Sequence, residues 1–403
     1  MIITPHHHLC YCTNIHPGES WEAVFQSLKT HTLPIKEQLC PNNPFGIGLR
    51  LSNQASVDLI KGNALAEFKN WLFQNDLYVF TMNGFPYGGF HQVVVKDKVH
   101  QPDWTTPERM SYTLRLFNLL QELLPEGTEG GISTSPLSYK YWHKGEEALE
   151  EVIAVSCQQF AELSYELHRI HETTGKFLHL DIEPEPDGIL ENTAEVLEFY
   201  DKYLIPLGSA YLSGEYGYNS LQSEEILRSH IQLCYDICHF AVAYENPYMA
   251  LEAFRTADIR IGKIQISSAL KADLPLNPPE RGKIKQSFEA FQESTYLHQV
   301  VALDASGSLH QFRDLPDSFP YIFHPKMREW RTHFHVPLFT ESYQLLQSTQ
   351  SDIQAVLEII KEIPTTRHLE VETYTWEVLP KELRVDLTQS IIRELEWVMK
   401  ELE

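Results

Sequence analysis

The chain has 403 residues, with 55 acidic and 32 basic side chains and a formal charge of −23. That balance argues against nucleic acid or an anionic membrane as partner, because both reward a basic face, but it admits a small anionic substrate held by a few arginines. Hydrophobic residues at 43% and charged residues at 22% suit a globular protein with a sizeable core, and the length fits either two or three domains or one barrel with insertions.

Short apolar runs bounded by Gly, Pro or Asn predict strands at Leu9–Thr13, Phe45–Leu51, Leu77–Met82, Gly131–Ser135, Phe177–Ile182, Leu233–Ile237, Ile261–Ser267 and His368–Thr373. Helical periodicity between them predicts Ser20–Leu28, Ala55–Phe73, Pro107–Leu124, Glu146–His171, Thr193–Tyr203, Glu224–Gln232, Tyr248–Arg255, Asp352–Ile363 and Leu387–Leu402. Strand then helix, eight times, is the pattern of a (β/α)8 TIM barrel; an open sheet covered on both faces would also alternate, but the count of eight favours closure. Residues 268–346 break the rhythm with Pro, Asp, Gly and aromatic clusters and no long helix. They are expected as an irregular excursion between strands seven and eight, lying over the barrel mouth. With no linker or low-complexity tract, residues 1–403 are expected as one domain.

No run approaches 18 apolar residues, so no membrane-spanning helix is predicted. The N-terminal MIITPHHHLCYC lacks a charged n-region and a long apolar h-region, so no signal peptide and a cytoplasmic location are expected. The six cysteines read as reduced, small buried residues in strands, although Cys10-x-Cys12 and Cys234-x3-Cys238 carry metal-like spacing. His6-His7-His8 reads as ordinary sequence entering the first strand.

In a barrel the chemistry sits at the C-terminal ends of the strands. Those ends carry Arg50, Asn83, Asp181-Ile182-Glu183, Asp236-Ile237-Cys238-His239, Gln265-Ile266-Ser267 and Glu370-Val371-Glu372, and the excursion adds His333-Phe334-His335. Each has an ordinary explanation alone: a solvated strand exit, an Asx turn, alternation on a strand, interior polar packing. Together they converge on one end, and charged groups inside apolar strands need a partner, most simply a shared divalent cation. The oxygen-rich donor set suits Mn²⁺ or Mg²⁺, with Zn²⁺ admitted if histidines join. Trp330, Trp376, Tyr374 and the Phe85–Tyr87 pair are aromatics that line a pocket or pack structurally with about equal weight.

The set Glu183-Pro184, Asp236-x-x-His239, His333-x-His335 and Glu372-Thr373 resembles the xylose isomerase-like barrel superfamily of sugar isomerases, tagatose/psicose-type epimerases and endonuclease IV enzymes. More narrowly, YCTNIHPGESW (11–21), FGIGLRLS (45–52), LYVFTMNGFPYGGFH (77–91), CYDICHFAVAYENP (234–247) and HFHVPLF (333–339) resemble the EboE family, bacterial metabolite-traffic proteins of the ebo gene cluster. The resemblance implies a barrel with a metal at its mouth and other ebo-cluster proteins as partners. In the epimerases two glutamates, an aspartate and a histidine hold one ion. Glu183, Asp236 and Glu372 match three of these, and Gln265 stands where the family has histidine, with a weaker carbonyl donor. His333 is a further potential ligand. The endonuclease pattern asks for histidines from earlier strands, where this chain has Asn83, with His91 eight residues on.

The resemblance further implies metal-assisted proton transfer next to a carbonyl, isomerising or epimerising a small carbohydrate-like metabolite. Glu183 and Glu372 would exchange the proton, Asp236 would be a pure ligand, and His239, His335, Arg50 and Asn83 would hold the substrate. Two alternatives stand beside it. One is a carrier barrel without turnover, which Gln265 favours; the other is a metal-dependent hydrolase that recruits His333 and His335.

Overall fold

Alternation with a period of two places apolar side chains on one face of each predicted strand, and that face must be buried. The computed structural model describes residues 1–91, 94–374 and 386–403. Eight parallel strands form the barrel: β1 (His7–Tyr11), β2 (Phe45–Arg50), β3 (Leu77–Asn83), β4 (Gly130–Thr134), β5 (Leu178–Ile182), β6 (Ile231–Asp236), β7 (Ile261–Ile266) and β8 (His368–Val371). Each corresponds to one of the predicted runs. Ladders join neighbours from β2 through to β8, and β8 pairs with β1. Between β1 and β2 the described residues show a single parallel bridge, Cys12 to Gly48. A short strand, Ile2–Thr4, runs antiparallel along β1.

On the outer face Leu178, Leu180 and Ile182 of β5, Ile264 and Ile266 of β7, and Leu369 and Val371 of β8 join the main apolar core. The alternate positions point into the barrel and are polar. They form columns: His179, Asp181 and Glu183; Lys263, Gln265 and Ser267; His368, Glu370 and Glu372. Lys263 Nζ lies 2.7 Å from Glu370 Oε2, and both side chains are fully buried. Gly48 has no side chain because that space holds Glu370: a Cβ there would lie 1.8 Å from its Oε1.

Several helices differ from the sequence expectation. The stretch predicted as Ala55–Phe73 is two helices, Asn53–Leu59 and Ala64–Gln74, separated near Gly62 at φ +55°. The helix expected to end at Leu28 continues through a wide turn into Leu33–Leu39. Leu387–Leu402 matches its prediction. Residues 268–346 are neither irregular nor without a long helix. They contain the twelve-residue helix Pro278–Glu289, whose Pro-Pro start pre-sets the first turn. They also supply an antiparallel sheet, ordered Leu309–Phe312, Val300–Asp304, Met327–Thr332, Leu270–Asp273, Leu346–Ser348, Ser342–Tyr343. The helix was missed because its sequence, PPERGKIKQSFE, is mostly polar and buries only Arg281, Ile284 and Phe288. The sheet leaves Thr332 to deliver His333-Phe334-His335, and Val336 N–H binds Ser268 O at 3.0 Å just beyond β7. Among the described residues no helix is long and apolar enough to cross a membrane. All six cysteines are free and buried.

Candidate metal centre

Glu183 follows β5, Asp236 ends β6 and Glu372 follows β8. Each offers a carboxylate oxygen, and the three oxygens lie within 4.8 Å of one another. All three side chains are buried. Asp236 also caps the short helix Ile237–Val242, its Oδ1 accepting from His239 N–H at 3.1 Å and from Ser267 Oγ at 2.7 Å. Its Oδ2 accepts no hydrogen bond among the described residues, and neither does Glu183 Oε2. Glu372 Oε1 accepts from Asn14 Nδ2 at 2.7 Å and Asn83 Nδ2 at 2.9 Å. Burial, then the carboxylates of Glu372 and Asp236, pushes Glu183 well above the usual carboxylate range. Burial, then Asp236 and Glu370, does the same to Glu372. Three carboxylates that close, with two bare buried oxygens, fit the oxygen shell of a divalent cation.

Histidines border these carboxylates: His239 and His335 form a donor group with Asp236, and His239 and His333 form another with Glu185. His239 Nδ1 faces Pro184 O at 2.9 Å and His333 Nδ1 faces the amide oxygen of Gln299 at 2.9 Å, so both carry their proton on Nδ1. Burial, and then neighbouring imidazoles, holds both rings well below the usual histidine range, hence neutral. Their Nε2 atoms then face each other lone pair to lone pair at 3.1 Å, an arrangement that asks for a cation or proton beside it. His335 Nδ1 donates to Glu372 O at 3.0 Å, and its Nε2 lies 4.0 Å from Asp236 Oδ2. Nδ1–H on a carbonyl or amide oxygen, with Nε2 turned inward, is how metal-binding histidines are oriented.

Asn83 is in the site, but as a clamp on Glu372. Gln265 is fully buried and in register with Asp236 on one side and Glu370 on the other, so its side chain lies on the interior face. Its Oε1 accepts from the Cys234 thiol at 3.4 Å, and its Nε2 has no hydrogen-bond partner among the described residues. Arg50 does not reach the site. Its guanidinium binds Glu19 Oε1 at 3.1 Å, Gly18 O at 3.3 Å and Gly88 O, and it borders a separate small cavity. It ties loops together because its nearest acceptors are main-chain oxygens and Glu19, not the mouth.

The mouth cavity, of about 60 Å³, also meets residues that sequence reasoning missed, including Asn14, His100, Glu185 and Gln299. Asn14 lies three residues beyond β1, so the strand-end rule applied to the other strands would have found it. Glu185 pairs with His100 at 2.8 Å. His100 sits in a 3₁₀ turn of the long β3–β4 connection, which has no periodic signal. Of the aromatics, Phe85 and Tyr374 line the cavity. Tyr87 packs on Tyr112, and Trp330 packs among Phe288 and Phe312 in the added sheet. Trp376 lies outside the described residues. His91 binds the main-chain oxygen of Asn14 at 2.5 Å.

No family model and no curated protein matches the chain. Solved structures do align with it. The IOLI protein with a bound zinc atom is 14% identical, with 98% of each chain covered and a TM-score of 0.48. A D-tagatose 3-epimerase-like protein is 10% identical over 98% of this chain and 97% of its own, TM-score 0.49. A xylose isomerase-like TIM barrel from Mycobacterium smegmatis in complex with magnesium is 10% identical over 98% and 96%, TM-score 0.49. Likenesses at this level carry no argument about the site; the barrel stands on its own strand order.

Proposed function

We propose that the protein is a metal-dependent isomerase or epimerase of a small, polar, carbohydrate-like metabolite. The supporting observation is the buried triad Glu183, Asp236 and Glu372, whose carboxylates approach within 4.8 Å of one another while Glu183 Oε2 and Asp236 Oδ2 have no hydrogen-bond partner among the described residues. These three residues would hold Mn²⁺, Mg²⁺ or Zn²⁺, with Gln265 in the neighbouring strand position and His333 and His335 at the rim. A bound cation supplies polarisation of a substrate carbonyl and acidifies the adjacent C–H. Glu183, beyond β5, and Glu372, beyond β8, would take and return that proton. His239 and His335 would position substrate oxygens, while Asn83, its amide engaged by Glu372 and by Phe85 N–H, would hold Glu372 in place. The small cavity takes the reacting end of a metabolite rather than a polymer. The EboE resemblance rests on the sequence motifs alone and agrees with a metabolite-processing role in a partnership with other ebo-cluster proteins.

The test is to load the protein with Mn²⁺ and incubate it with a panel of ketoses and aldoses in D₂O. Solvent deuterium should enter the carbon next to the carbonyl, and Glu183→Gln and Glu372→Gln should each abolish exchange. No exchange with any sugar, at full metal occupancy, overturns the proposal.

A metal-dependent hydrolase is favoured by one observation: the facing Nε2 atoms of His239 and His333, which with Glu185 make a second donor group within 4.8 Å. Two or more zinc ions per chain at the mouth together with phosphoester hydrolysis would select it. Absence of tight metal would select the carrier.

A further inference from the structure

At the opposite end of the barrel the polar columns begin with His179 on β5 and His368 on β8. Both are buried and turned into the barrel floor. Glu129, the residue before β4, joins them, and each of the three offers a donor atom within 4.8 Å of the other two. We propose that Glu129, His179 and His368 form a second metal site, for a zinc-type dication, that braces the floor of the barrel.

The tautomers follow from the hydrogen bonds. His368 Nε2 faces the main-chain oxygen of Glu129 at 3.2 Å, and a carbonyl only accepts, so the proton sits on Nε2. Its Nδ1 is therefore a bare lone pair, buried and without a hydrogen-bond partner among the described residues. His179 Nδ1 lies 2.6 Å from Asp181 Oδ1, which leaves Nε2 as its ligand atom. A carboxylate on the far nitrogen of one imidazole and a carbonyl on the far nitrogen of the other is the outer shell that fixes metal-binding histidines. Two imidazoles and one carboxylate suit zinc better than magnesium or manganese, and three protein ligands leave a position for water. Entry is available, since Glu129 is only half-buried and lines a cavity of about 550 Å³ with Thr366 and Arg367.

The floor group is distinct from the mouth. Four residues of extended strand, about 13 Å, separate His179 from Glu183, and the Lys263–Glu370 ion pair lies in the interior layer between them. A dication there would join β4 and β5 to β8 on the far side of the barrel. The competing account needs no metal: a protonated His179 held by Asp181.

The test uses full-length protein with every donor group at the mouth broken by Asp236→Asn and His333→Ala, stripped with chelator and titrated with Zn²⁺ alone. One zinc per chain should remain through dialysis, and adding Glu129→Gln should weaken it at least about tenfold, since even outer-shell changes have effects of that size. Wild-type crystals soaked in Zn²⁺ should give an anomalous peak between His179, His368 and Glu129, which decides the matter should the double variant not fold. No zinc retained by the folded mouth variant, unchanged affinity in Glu129→Gln, or no peak at the floor would each overturn the proposal. None of these readouts depends on activity at the mouth, so its failure is separable from that of the proposed reaction.

Discussion

Lys263 and Glu370 illustrate what a single residue contributes in this barrel. Burial works to strip the Lys263 charge, but Glu370 beside it more than compensates and raises its pKa. Lys263 also donates to Met82 O at 3.2 Å and Ser133 Oγ at 3.3 Å, so its protons are used. Removing one partner leaves the other an uncompensated buried charge. Glu370→Gln should therefore lower unfolding free energy by about 3–5 kcal/mol in urea titrations; a loss under about 1 kcal/mol would mean the lysine is neutralised by other means. Gln265→His is the opposite kind of change. It replaces an amide whose nitrogen lacks a partner with a stronger donor beside Asp236, and the variant should retain more Mn²⁺ or Zn²⁺ through dialysis against a weak chelator. Equal or lower retention removes Gln265 from the ligand shell. At this scale the sequence was readable where polar residues recur every second position, as in HLDIE and HLEVE. It was unreadable at Arg50, because nothing local reveals that Glu19 and the Gly18 and Gly88 carbonyls would take up its guanidinium.

At the scale of elements, the C-terminal helix Leu387–Leu402 is tied through Glu394 to the chain segments that flank the site. Its Oε1 accepts from Thr373 Oγ1 at 2.8 Å and from Leu338 N–H at 3.2 Å, joining the helix to the chain after β8 and to the 268–346 segment. Burial, opposed by these two hydrogen bonds, pushes the carboxyl up to about 8. An unfolded glutamate ionises near about 4.3. Between those values the folded protein keeps a proton that the unfolded chain has released, so stability falls as pH rises through that window. The favourable contribution is fully present below about pH 4. Glu394→Gln, which cannot ionise, should flatten the melting temperature between pH 5 and 8 relative to wild type; parallel curves would refute the assignment. Long amphipathic helices such as Leu387–Leu402 were legible because a continuous face is buried. The break at Gly62 and the wide turn at Leu28–Thr32 were not, since neither interrupts the apolar period strongly.

At the scale of the molecule, eight strand signals were enough to expect closure, because each strand buries its outer face under helices and the count leaves no edge. Residues 268–346 were harder to read. Their strands pair by crossing, with Met327–Thr332 between Val300–Asp304 and Leu270–Asp273. Such non-local pairing leaves little trace in any short window of sequence. The His333-x-His335 spacing nevertheless marked the place where this segment enters the mouth.

The lone bridge between β1 and β2 gives the barrel a seam, and the mouth spans it. Glu372, just beyond β8, which pairs with β1, accepts on one oxygen from Asn14 on the β1 side and from Asn83 on β3, the partner of β2. The hoop that closes the barrel at this level is therefore a carboxylate that also belongs to the candidate metal centre. Breathing of the barrel and occupancy of the site become one equilibrium, because a cation that fixes Glu372 also fixes both asparagines. Amides at residues 12–15 and 48–51 should exchange with deuterium faster than those of β5 and β6 in stripped protein. Divalent metal should slow them and Glu372→Gln should quicken them. Seam amides indifferent to both would mean that the barrel closes without help from its own chemistry.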